Sequence, residues 1–78
     1  MNNQQHEMLA QFAQASINQA LTNIKDAQEK IKISQNEIDQ MSDKDRASTK
    51  FTFQNGRLKM YTQAIADLEA KIEFIRLQ

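Results

Sequence analysis

Five basic side chains crowd one short stretch of this chain: Lys44, Arg46, Lys50, Arg57 and Lys59, opposed between residues 44 and 59 only by Asp45. On a continuous helix Arg46, Lys50 and Arg57 fall nearly on one line, with Phe53 in the same band. Cations interleaved with an aromatic ring can hold phosphates and stack bases, and Tyr61 offers a second ring nearby. Such binding draws most of its affinity from neutralised phosphates. Here ten basic and ten acidic residues cancel over the whole chain, so no global field adds to the local one. Nucleic-acid or nucleotide binding at this band is therefore the second of two functional expectations. The simpler account is a solvated flank whose charges balance Glu37 and Asp39.

Catalytic chemistry finds less to work with. His6 is the only histidine, and its neighbour Glu7 points elsewhere on a helix, so no base has an orienting carboxylate. Glu69 and Glu73 share a helix face, but Lys71 and Arg76 beside them make a solvated charged face the plainer reading. There is no cysteine, which removes disulfides, thiolate metal sites and a thiol nucleophile. The Glu-x-x-His pattern of di-metal bundles is absent, as is a glycine loop for phosphates. The expectation is a non-enzyme with no cofactor and no metal.

These side chains must be positioned by helices. The 78 residues include no proline and one glycine, so the usual punctuation of turns is missing. In the first half Ala10, Ile17, Ile24, Ile31 and Ile38 alternate with Ala13, Ala20, Ala27, Ser34 and Met41. This three-four spacing is a coiled-coil seam. In the second half Leu58, Tyr61, Ile65, Leu68, Ile72 and Ile75 repeat it, and the same phase extends back through Gln54, Phe51 and Ala47. Between the halves, Ser42 and Asp45 approximate a capping box. The fold expected is all-α: an antiparallel, coiled-coil-like two-helix hairpin forming one domain over residues 1–78. Helix 1 would span about 4–41, the turn about 41–44 and helix 2 about 44–77. The two helices would match in length, about 37 and 34 residues, and the small residues of the first seam would bring them close together.

One stretch resists this reading. Asn55-Gly56 sits between Phe51 and Phe53 on one side and Leu58 and Met60 on the other, a strong β-hairpin signature. The residues before it, Thr49 to Phe53, also favour strand. Against that, the seam passes through Gly56 without a slip, and a lone two-stranded ribbon is rarely stable. A helix running straight through is expected, with the hairpin over residues 49–62 as its alternative.

Helix 2 carries a second apolar stripe, Phe53, Met60, Ala64 and Phe74, and helix 1 has Met8, Leu9 and Phe12 off its seam. A hairpin needs one stripe per helix, so the surplus calls for cover. An intramolecular wrap over Leu9 and Phe12 is one solution; a helical bundle of several copies, dimeric by preference, or a partner helix is the other. Residues 8 to 24 have no charge at all, and amides cost less than charges to bury. The first functional expectation follows: a protein–protein interaction module, such as a small adaptor, co-chaperone or inhibitor, using Phe12, Phe53, Met60, Ala64 and Phe74. No segment approaches the roughly 18 apolar residues of a membrane span, and the N-terminus lacks the basic region of a secretory signal. A cytoplasmic location is expected.

Overall fold

A computed structural model describes residues 2–78. Two long helices, α1 (Asn2–Asp39) and α3 (Thr49–Arg76), are joined by a single-turn helix, α2 (Asp43–Arg46). They lie side by side in a rod of 67 × 15 × 13 Å. The helix-rich composition and the two seams yield an all-helical chain, with no strand among the described residues.

The connection is built by two serines six positions apart. Helix α1 closes with Gln40 N–H donating to the Asn36 carbonyl and Met41 N–H to that of Ile38, both at 3.1 Å. Ser42, in extended conformation, then caps α2: its Oγ accepts the Asp45 N–H at 3.2 Å. Asp43 and Asp45 in that first turn suit the positive end of the helix. Ser48 repeats the device for α3, accepting the Lys50 N–H at 3.2 Å while its hydroxyl donates to the Asp45 carbonyl at 2.6 Å. The second long helix therefore starts at Thr49 rather than near residue 44. Ala47, expected in the seam, lies between the two caps and is exposed.

The seam itself packs as its spacing predicts. Ile17, Ala20, Ile24 and Ile72 form the buried cluster, with Ile65, Leu68 and Ile75 against it. Ala20 retains 2% of its exposure, and Ala27 and Ser34 are also buried. Toward the turn the packing loosens: Ile38, Met41, Phe51 and Leu58 are only half-buried. There Gln54 occupies a seam position and donates from Nε2 to Glu37, while its Oε1 is buried without a hydrogen-bond partner. Asn55 and Gly56 are helical, and no residue described has positive φ. The β-hairpin alternative is therefore excluded.

The helices do not match in length, and this is the main departure from expectation. Glu37 meets Gln54, and Lys30 meets Tyr61; in each pair the residue numbers add to 91, so a step along α1 corresponds to a step back along α3. Arg76 then stands level with residue 15. The first turns of α1, through about residue 14, project roughly 20 Å past the end of α3. Residues 3 to 12 are all exposed, including Ala10, which the seam had placed inside. The spacing on α1 is correct; the partner helix ends before reaching it.

Candidate functional site

The basic band is divided among different duties. Arg46 lies on α2, separate from α3, and its guanidinium turns back toward the Ile38 carbonyl at 3.4 Å. That removes it from the expected line. Lys50 and Arg57 remain on α3. Lys50 approaches Asp45 at 3.8 Å, an exposed pair, and Arg57 lies over the Phe53 ring with its Cζ 5.5 Å from the centroid. Lys44 and Lys59 are exposed. Glu37, expected to balance this band, instead accepts from Gln54. Glu69 and Glu73 line a shallow depression with Leu21, Ile24, Ile72 and Arg76. His6 is exposed, and no group of three or more metal-ligating side chains occurs among the described residues.

The apolar surplus, in contrast, is brought together. Phe12 and Ile33 each lie two places after a seam residue of α1; Phe53, Met60 and Phe74 do the same on α3. In an antiparallel pair, reversing one helix reverses both its rotation and the direction of its seam, so equivalent heptad positions come to the same flank. The contacts agree: Lys30, Ile33 and Glu37 of α1 line one depression with Arg57 and Tyr61 of α3. Leu9, one place before a seam position, borders the same flank. Phe12, Phe53, Met60 and Phe74 are 64%, 66%, 72% and 63% exposed. Ala64, also one place before the seam, is half-buried. The intramolecular wrap is not formed, since Leu9 and Phe12 are as exposed as the side chains they would meet.

The other flank differs in kind. Its equivalent positions hold Gln14, Gln28, Gln35, Thr62, Glu69 and Arg76, with Leu21 the apolar exception. Within the uncharged segment of α1, amides pair along the helix: Gln14 with Asn18 at 2.9 Å and Gln19 with Asn23 at 3.0 Å. These i, i+4 bonds steady the helix in place of ion pairs. The Asp26–Lys30 pair at 3.1 Å marks where charges resume.

Gly56 gives the apolar flank its shape. Phe53, Gly56, Arg57 and Met60 are spaced i, i+3, i+4 and i+7, the four corners of a hole that receives a knob from a facing helix. With Thr52 and Tyr61 they line an open concavity of about 700 Å³. A Cβ added at Gly56 would meet nothing within 4 Å, and its backbone is ordinary helix. Neither backbone conformation nor internal packing therefore explains a residue that costs a helix about 1 kcal/mol relative to alanine. Asn55-Gly56 carries a turn signature in the sequence, whereas the i, i+3, i+4, i+7 spacing around a residue with no side chain is the signal for a hole. No helix among the described residues is long and apolar enough to cross a membrane. Comparison with protein-family models, with curated proteins and with solved structures finds no match to this chain.

Proposed function

We propose that this protein is a non-enzymatic protein–protein interaction module whose docking surface is the apolar flank of the hairpin. One observation carries the reading: six of the nine large exposed apolar side chains of the described residues, Leu9, Phe12, Ile33, Phe53, Met60 and Phe74, come from two different helices and share one flank, while the opposite flank has only Leu21. Scattered exposed apolar residues are ordinary on a protein surface, but a set gathered on one flank, with a hole beside it, points to a binding face. The basic band gives the nucleic-acid alternative less support, because Arg46, Lys50 and Arg57 each engage a group of this same chain.

The test is a double substitution, Phe53→Ser with Met60→Ser, compared with Leu21→Ser on the opposite flank. All three side chains are exposed in the hairpin, so helicity should survive in both variants. Association, whether of the chain with itself or with a protein captured from its native extract, should be lost only in the double variant. Association that persists in the double variant would refute the reading, as would its absence in the unmodified chain.

A further inference from the structure

We infer that Asn55-Gly56 is a self-modifying link, kept intact by α3 and converted to an aspartyl or isoaspartyl link when the turn-proximal end of that helix opens. Asparagine is chemically labile, and the residue after it governs how readily it reacts. The backbone nitrogen of that residue, once it has given its proton to solvent base, attacks the carbonyl carbon of the asparagine side chain. The carbon–nitrogen bond of the side-chain amide breaks, ammonia leaves and a cyclic imide closes. Water then opens the ring at either carbonyl, leaving aspartate or rerouting the chain through the side chain as isoaspartate. Glycine is the most permissive follower, because no Cβ crowds its nitrogen or restricts its backbone angles. Only Asn55 is followed by glycine; Asn18, Asn23 and Asn36 precede Gln19, Ile24 and Glu37.

The helix opposes this attack in two ways. Both residues lie inside α3, which commits the Gly56 N–H to the Thr52 carbonyl. Helical side chains also lean toward the N-terminus, so the Asn55 carboxamide is carried away from the Gly56 nitrogen. Reaction therefore requires this turn to unwind, and its surroundings hold it less firmly than the far half of α3. Asn55 follows closely on the Ser48 cap. Phe51 and Leu58 are only half-buried, Gln54 leaves Oε1 unpartnered, and nothing packs where a Gly56 side chain would stand. Ile72, by contrast, belongs to the buried cluster with Ile17, Ala20 and Ile24. Opening free energies follow such differences in packing. Conversion to isoaspartate also locks the helix open. It adds a carbon to the main chain, so the hydrogen bonds that span position 55 lose their register. Residues 49–54 are then cut off as a segment too short to persist as helix, and Phe53 parts from Met60.

The test is incubation of the full chain at mildly alkaline pH, followed by peptide mapping that resolves asparagine, aspartate and isoaspartate. In guanidinium chloride, conversion should concentrate at Asn55, with Asn18, Asn23 and Asn36 lagging. In the folded chain the same site should convert at least about tenfold more slowly. Ser48→Ala, which removes the acceptor capping α3, should speed the folded chain about fivefold. Ile72→Val, a comparable loss of stability at the far end, should leave the rate within about twofold. The isolated isoaspartyl chain should have lost part of its helical circular dichroism. Equal rates in folded and denatured chains would overturn the helical gate, as would a folded chain that fails to convert even with Ser48→Ala. Conversion spread evenly over the four asparagines would overturn the site. Acceleration by Ile72→Val to match Ser48→Ala would overturn the local opening, and full helicity in the isoaspartyl chain would overturn the lock.

Discussion

Replacing Gly56 with alanine should stabilise the lone hairpin. The residue lies in the interior of α3, has no positive φ, and a methyl group there touches nothing within 4 Å. Neither a clash nor a new contact enters, so the whole effect is conformational: alanine restricts the unfolded chain and loses less on entering the helix. The gain is about 1 kcal/mol, and in a domain of this size about 4–8 °C in melting temperature. The assay is thermal circular dichroism at a concentration dilute enough to keep the chain monomeric, since the same methyl group rises from the floor of the hole. The sign is what matters. If Asn55-Gly56 formed a two-residue β-turn, Gly56 would occupy the left-handed region, where alanine costs about 1–2 kcal/mol. A lowered melting temperature would refute both the continuous helix and the argument that the glycine has no internal role.

Two other substitutions probe what holds the rod together. Ala20→Leu forces a larger side chain into the most tightly covered seam position and should cost about 1–3 kcal/mol, read as a lower urea midpoint with an unchanged slope. Ser42→Ala removes the acceptor for the Asp45 N–H and should cost about 1 kcal/mol; an unchanged melting temperature would mean that Ser48 alone sets the turn.

The seam was legible because its signal is repeated. Ile17, Ala20, Ile24 and Ala27 each confirm the same phase, and burial follows it. Boundaries rest instead on single residues. Ala47 keeps the phase of the second seam, yet Ser42 and Ser48 both offer hydroxyls to bare helix amides, and two local caps outweigh one apolar position in phase. The same break took Arg46 out of line with Lys50 and Arg57. The overhang was illegible for a related reason. Periodicity records which face of α1 is apolar, whereas the height at which α3 ends depends on how many residues the turn consumes. Of the candidate site, the stripe Phe53, Met60 and Phe74 could be read directly. Phe12 was expected to serve with them; that it and Ile33 lie on the same flank could not be read, because placing two helices on a common flank requires their handedness and antiparallel sense together.

The overhang of α1 makes its own backbone an indicator of assembly. About a dozen residues of helix with no neighbour are near the limit of what persists alone in water, so their amide protons should exchange with solvent orders of magnitude faster than those around Ile24 and Ile72. Covering the overhang would slow them. The exchange rates of Leu9 to Ala13 then report, residue by residue, what fraction of the chains is bound, without any label and whatever the occupant proves to be.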